Sequence, residues 1–121
     1  MIEKATDVRL YKPPEFNIWP VFTGHSWGLD DLMFQQWEAN GTTPKNYTAI
    51  YTLMIFRDKA RKDLMATKVL TTSDNRLIVG QTKEENVFKE ETTYYFDVIE
   101  DASTEMSKPY MRGTLIVYRS R

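Results

Sequence analysis

Residues 47–57 read Tyr-Thr-Ala-Ile-Tyr-Thr-Leu-Met-Ile-Phe-Arg, an unbroken run of mostly β-branched and aromatic residues without glycine or proline. Residues of these types fit the pleated, half-buried surface of a β-sheet. The run therefore predicts a long β-strand at the centre of a sheet.

Further segments carry the same signal: residues 31–37, 64–71, 76–79, 92–100 and 110–119. Short polar residues that bond their own backbone, such as Ser73-Asp74-Asn75, predict turns between them. Only residues 83–91 suggest a helix, of one or two turns, with Thr82 as its N-cap and Glu85 at capping-box spacing. Successive strands with almost no helix predict an antiparallel all-β sandwich or barrel.

The first 29 residues differ from the rest of the chain. Residues 11–20 contain three prolines, and proline lacks the N–H group that a central strand needs. The same region is too apolar for a free tail. We therefore predict an extended N-terminal arm at residues 1–29, lying on its own surface or a neighbour's, and a β-sandwich domain at residues 30–121.

Composition excludes several classes of protein. The 121 residues include 16 Lys+Arg and 17 Asp+Glu, giving a formal net charge of −1, which argues against a dedicated nucleic-acid binder. The absence of cysteine removes disulfides and thiolate zinc sites. No apolar run approaches the roughly 20 residues that span a bilayer, and no signal-peptide pattern is present. We expect a protein made in a cytoplasm, without nucleic-acid or membrane partners.

Catalytic patterns are also missing from the sequence. It holds no phosphate-binding loop, no Gly-x-Ser-x-Gly and no His-Glu-x-x-His. His25, the one imidazole, lies between two nearby glycines and is interpreted as a loop residue. Adjacent carboxylates such as Glu90 and Glu91 point to opposite faces of a strand and do not form a dyad. We therefore predict no enzyme activity, no catalytic residues, no cofactor and no metal.

A series of short motifs follows in order from residue 38. They are Glu38-Ala39-Asn40-Gly41-Thr42-Thr43-Pro44, Asn46-Tyr47-Thr48-Ala49, Leu53-x-Ile55-x-Arg57, residues 70–77, Tyr94-x-Phe96-Asp97-Val98 and Gly113-x-Leu115-x-Val117. Their order resembles the N-terminal β-sandwich domain of upper baseplate proteins of bacteriophages with long non-contractile tails, and related phage tail and head-fibre domains. Asn46 and Asn75 stand where that family usually has glycine.

The resemblance implies which strand faces point inward, among them Tyr51, Leu53, Phe96 and Leu115. The opposite faces carry apolar residues where a solvated face would be polar. In an immunoglobulin-like sandwich these strands are neighbours, so the outer residues would form one large apolar patch. We predict that the patch and the arm form an interface, through Phe16, Ile18, Trp19, Phe22, Ile50, Met54, Phe56, Tyr95, Ile116 and Tyr118.

The predicted fold is thus an antiparallel immunoglobulin-like β-sandwich of seven or eight strands with an N-terminal arm. The resembling family keeps an aspartate at Asp97, for which we expect a structural bond to Arg57 or Arg112. The predicted function is that of a virion structural protein of a bacteriophage tail, baseplate or neck. Its partners would be other virion proteins and copies of itself, and its location the virion.

Two alternative functions remain open from the same sequence: a carbohydrate-binding module and an enzyme of small-barrel type with an apolar pocket. Trp19, Trp27 and Trp37, together with tyrosines, could form a stacking surface in a carbohydrate-binding module. Aromatic residues equally dominate cores and interfaces.

Overall fold

The pairing of extended segments accounts for most of the chain. A computed structural model describes residues 13–73, 75–105 and 107–120. Within these ranges the chain forms no helix, and so none that could span a membrane. The strands are β1 (Glu15–Phe22), β2 (Trp27–Trp37), β3 (Pro44–Lys45), β4 (Tyr51–Phe56), β5 (Leu64–Val69), β6 (Thr71–Ser73), β7 (Arg76–Gln81), β8 (Thr93–Glu100) and β9 (Lys108–Tyr118).

The strands form two sheets. One has five strands in the order β1-β9-β8-β4-β5, and the other has four in the order β3-β2-β7-β6. All pairs are antiparallel except β1 and β9, which are parallel. The all-β prediction is confirmed, and the described residues form nine strands, counting the two-residue β3, where seven or eight were expected.

One hydrophobic core lies between the two sheets. The predicted inward residues Leu53, Phe96 and Leu115 are each fully buried, and Leu77 and Val79 of β7 meet them from the other sheet. Alternate residues of a strand point to opposite faces, so β4, β8 and β9 each bury one face in this core. Two sheets around a shared core are consistent with a β-sandwich.

Phe56 is more deeply buried than its predicted outer position indicates. It was expected on the outer face, yet its side chain is only 7% exposed. The pairing of β4 with β5 shifts register between Ile55 and Phe56, which sets Phe56 opposite Leu64. The pairing of β4 with β8 is regular at this point and sets Phe56 opposite the outer residue Tyr95, so Phe56 keeps its predicted face and is covered there without joining the core between the sheets. Phe56 is therefore not among the exposed residues of the outer face.

The predicted helix at residues 83–91 is also wrong, although its capping box is present. The Thr82 N–H donates to Glu85 Oε1 (2.8 Å), and the Glu85 N–H donates to Thr82 Oγ1 (3.3 Å). The chain makes a single turn and then extends, because Phe88 packs into the core against Tyr94, with ring centroids 4.7 Å apart. Tertiary packing outweighs the local helical signal.

Part of the predicted arm is an edge strand of the five-stranded sheet. Residues 15–22 pair with β9, and Val21 is fully buried in the core. The expected boundary after residue 29 falls inside β2, and residues 1–12 lie outside the described residues. Pro20 lies at a register shift between β1 and β9, where a missing N–H costs no regular ladder bond.

Gly113 permits the close approach of β1 to β9. A methyl group at this position would overlap the backbone of Phe16, including its carbonyl oxygen. Gly113 pairs with Phe16 on one side and with Phe96 on the other. The edge strand therefore depends on the absence of a side chain at residue 113.

Gly113→Ala should lower the free energy of unfolding by about 1–3 kcal/mol, the usual cost of overpacking, and should displace β1. Chemical denaturation and amide exchange measure these two effects. Gly41→Ala is the control: its methyl meets nothing within 4 Å, and the strain from its positive φ of 75° is confined to a loop away from β1, so it should leave the exchange of residues 16–18 unchanged. Undiminished protection of β1 in Gly113→Ala would contradict the packing described.

The Glu85 side chain links the turn that begins at Thr82 to Lys68 of β5. Its Oε1 accepts from Lys68 Nζ at 2.7 Å, and the same ammonium donates to the Gly80 carbonyl at 2.9 Å. The Lys68 hydrogen bond, with the Thr82 backbone N–H, holds the pKa of Glu85 below its usual value. A carboxyl with a depressed pKa adds stability above its unfolded pKa of about 4.3, and that stability is lost as pH falls through the folded pKa.

Glu85→Gln should therefore destabilise the protein at pH 7 more than at pH 3. The difference should be about 1 kcal/mol or less, because Glu85 is partly exposed and solvent screens the ion pair. Urea unfolding at the two pH values measures it, with Glu84→Gln as the matched control on the preceding side chain. An equal deficit at both pH values would rule out this role for the carboxylate.

Candidate interaction surface

Three large aromatic side chains lie exposed at one end of the five-stranded sheet. Trp19 is 65% exposed, Phe22 43% and Tyr118 38%. The parallel register of β1 and β9 places Phe22 directly opposite Tyr118, and their ring centroids are 6.1 Å apart. The backbone pairing thus brings together residues that are about a hundred positions apart in sequence.

These rings line a shallow surface groove that we call the aromatic groove. It is formed by Trp19, Pro20, Phe22, Glu91, Tyr118 and Arg119. The Arg119 backbone N–H donates to Glu91 Oε1 at 3.4 Å, so the acidic and the basic residue are neighbours. The groove presents apolar rings beside one carboxylate and one guanidinium. In such a combination the burial of apolar area provides affinity for a partner, and the charges fix the partner's orientation.

Hydrogen bonds fix the loop beside the aromatic groove. His25 Nε2 lies 2.8 Å from Ser120 Oγ, and the Ser120 N–H donates to Thr23 Oγ1 at 3.0 Å. Asn86 Nδ2 donates to the carbonyls of Phe22 (3.0 Å) and His25 (2.7 Å). These bonds tie the end of β1 to the end of β9, so the Phe22 ring is presented from an ordered backbone.

The other predicted interface residues are dispersed. Phe16 and Ile18 pack against the core, and Phe16 contacts Phe34 with ring centroids 5.0 Å apart. Ile50 is 61% exposed, but it lies at one end of the sheet, next to the pair Tyr51–Glu100. Tyr118 lies at the other end, beyond the pair Thr93–Ile116. The remaining members are half-buried on the outer face: Met54, Tyr95 and Ile116.

An ionic cluster covers the middle of that outer face. Asp97 Oδ1 accepts from Arg61 Nε at 2.7 Å and lies 3.4 Å from Arg112 Nε. The Arg61 guanidinium is also 5.7 Å from the centre of the Tyr95 ring. The predicted partner Arg112 is therefore present, whereas Arg57 pairs instead with Asp63 at 3.4 Å. The outer face is not one continuous apolar patch.

Sequence reasoning missed Arg61, which fastens the β4–β5 loop onto β8 and β9. Besides Asp97, its guanidinium donates to the carbonyls of Gly113 (3.2 Å) and Lys59 (2.9 Å). Asp58 shapes this loop by accepting backbone N–H bonds from Asp63 and Lys62, and these bonds, that of Asp63 above all, hold the pKa of Asp58 below its usual range. An aspartate before a run of polar residues predicts such a turn, but it does not indicate which groups the Arg61 side chain contacts.

The tryptophans do not form one stacking surface. Trp27, a member of the carbohydrate alternative, is 5% exposed, and its indole N–H donates to Gln81 Oε1 at 2.9 Å inside the core. Trp37 is 51% exposed but ends the eleven-residue strand that Trp27 begins. A strand of this length spans roughly 35 Å, so the two ends of β2 cannot contact one small glycan together.

Three tyrosines at the other end of the sandwich are engaged with one another. Tyr110 Oη and Tyr47 Oη are 3.0 Å apart, and Gln36 Nε2 donates to both Tyr51 and Tyr110 at 3.2 Å. Burial and the nearby Glu100 carboxylate raise the pKa of Tyr51 to about 12, and burial also raises the pKa of Tyr47. The phenols of Tyr47 and Tyr51 therefore stay neutral, and the three tyrosines form a hydrogen-bonded group that closes this end of the core.

Comparisons with protein-family models, with curated proteins and with solved structures found no match to this chain. Among the described residues, no three His, Asp or Glu side chains are grouped as a metal site would require.

Removing Arg61 should cost much more than removing Arg57. Arg61→Ala breaks several charge-assisted hydrogen bonds around Asp97, whose side chain is 16% exposed, and should cost about 1.5–3 kcal/mol. Arg57→Ala breaks a pair in which both side chains are 58% exposed and should cost less than about 1 kcal/mol. Parallel urea titrations compare the two variants, and equal losses would disprove the role given to Arg61.

Proposed function

We propose that this protein is a structural component that acts by protein–protein assembly, with the aromatic groove as its contact surface. The observation that carries the proposal is the exposure of Trp19, Phe22 and Tyr118 side by side on one strand pair. Large aromatic rings are enriched where proteins bind each other, and few of them are needed to dominate the energy of an interface.

The position of the groove supports this function. Its rings lie on and beside β1, an edge strand whose outer side is not paired within the described residues. Edge strands invite pairing with other chains, and proteins that do not use them usually protect them with charges or short lengths. An eight-residue edge ending in exposed aromatic residues is more suitable for contact than for isolation.

We further propose that the assembly is a bacteriophage virion, in its tail, baseplate or neck, with other virion proteins as partners. The support is the ordered series of motifs from residue 38 onward that resembles the sandwich domain of phage baseplate proteins. A small, rigid sandwich whose edge strand carries exposed aromatic side chains is suited to repeated contacts in a particle.

An immunoglobulin-like topology is part of the same proposal. The order β9-β8-β4-β5 in one sheet and β2-β7-β6 in the other corresponds to the strand orders G-F-C-C′ and B-E-D of variable-type immunoglobulin domains. β1 then joins the first sheet beside its last strand. This order supports the assignment without any sequence similarity to antibodies.

A carbohydrate-binding function is the second candidate, at a site other than the one that the sequence indicated. Trp19 also borders a groove between β1 and β2, where Asn17, Ser26 and Asp31 supply polar groups. An exposed indole beside such groups suits a sugar ring. Binding of glycans from an array, lost in Trp19→Ser, would favour this candidate over assembly.

Sedimentation with particles tests the proposed function. Particles purified on a density gradient from a culture that carries the gene should contain the chain, detected with an antibody against it. The Trp19→Ser, Phe22→Ser double variant should be reduced in the particles by roughly tenfold or more, since losing aromatic anchors typically costs over 2 kcal/mol. Its fold would be checked by circular dichroism.

Trp37→Ser serves as the matched control, because it removes an exposed tryptophan from the far end of β2. It should enter particles like the unmodified chain. If the unmodified chain stays in the soluble fraction while particles form, the virion proposal is wrong. If the double variant enters particles normally, the aromatic groove is not the contact.

A further inference from the structure

We propose that the aromatic groove binds a second copy of this chain about a two-fold axis, so that Glu91 of each copy pairs with Arg119 of the other. This inference rests on the proposed assembly function and names the first partner in it. The groove carries one acidic and one basic residue beside its aromatic rings, and this pattern is complementary to itself.

The two charges are available for such a contact. Within the described residues, neither Glu91 nor Arg119 takes part in an ion pair. They are held next to each other, since the Arg119 backbone N–H donates to Glu91 Oε1. A two-fold axis that passes between them brings each carboxylate to the partner's guanidinium, because an isologous contact places residue i on j and j on i.

The long-range electrostatics also permit self-association. The chain has a formal net charge of −1, so two copies repel each other little at physiological ionic strength. A contact that unites like-charged patches would lose this advantage. A two-fold arrangement avoids that loss, because it sets the acidic residue of each copy against the basic residue of the other.

The available area predicts a dimer of moderate strength. Typical aromatic side chains bury 150–250 Å², so the exposed fractions of Trp19, Phe22 and Tyr118 correspond to roughly 300 Å² per copy. Two copies supply roughly 600 Å² from the rings, and specific interfaces need about 1,000 Å² or more in total. Pro20, the two charged side chains and the edge of β1 make up the rest.

Charge reversal tests this geometry on the full chain. Sedimentation equilibrium over a micromolar concentration range should show a monomer–dimer equilibrium for the unmodified protein. Glu91→Arg and Arg119→Glu, each made alone, create like-charge contacts and should raise the dimer dissociation constant at least tenfold. The double variant restores opposite charges and should return to within about threefold of the unmodified protein.

Glu90→Arg is the matched control for the first reversal. It makes the same charge change one residue earlier, on a side chain that lines a separate groove with Met65 and Val87. Arg76→Glu, on the exposed start of β7, controls the second. Both should dimerise normally, and thermal melting of every variant checks that the monomer remains folded.

Three results would overturn the inference. These are an unmodified chain that stays monomeric over the whole range, single reversals that dimerise normally, and folded single reversals that the double variant does not rescue. The first result leaves the proposed function standing if the chain still sediments with particles, since the groove would then serve another protein. Loss from particles of a chain that dimerises as described would refute the virion role alone.

Discussion

The parallel pairing of β1 with β9 is the constraint on which the rest of the surface depends. It requires Gly113, because any side chain there would occupy the position of the Phe16 backbone. The same register buries Val21 in the core and sets Phe22 opposite Tyr118. The absence of a Cβ at Gly113 thus allows the proline-containing strand β1 to pair at the edge of the sheet, where its aromatic residues are exposed.

The ionic cluster around Asp97 occupies the centre of the outer face of the five-stranded sheet. Arg61 and Arg112 converge on this carboxylate, and Arg61 also lies against Tyr95. A desolvated charge needs its partners, so the centre of the outer face is already occupied by contacts within the chain. Trp19, Phe22 and Tyr118 are exposed away from this cluster, at the end of β1 and β9, so the contact surface that we propose lies at an edge and not across the sheet.

Period-two alternation made much of the core predictable from sequence, because Leu53, Phe96 and Leu115 follow it strictly. It did not predict that Phe56, which lies opposite Tyr95 on the outer face, is only 7% exposed. The capping box at Thr82 was read correctly, but the burial of Phe88 decided the conformation that follows it. Such outcomes depend on partners distant in sequence, which no local pattern contains.

The groove itself was predictable only in part. Trp19, Phe22 and Tyr118 were expected at an interface, but only the parallel register of β1 and β9 brings them together. No sequence pattern indicated that Glu91 and Arg119 would lie beside them. The claim that this surface mediates assembly is tested most directly by hydrogen exchange of the free and the assembled chain. Assembly through this surface should give new protection at residues 15–22 and 116–120, with little change around Trp37. Protection confined to β5 and β6, with β1 unchanged, would contradict it.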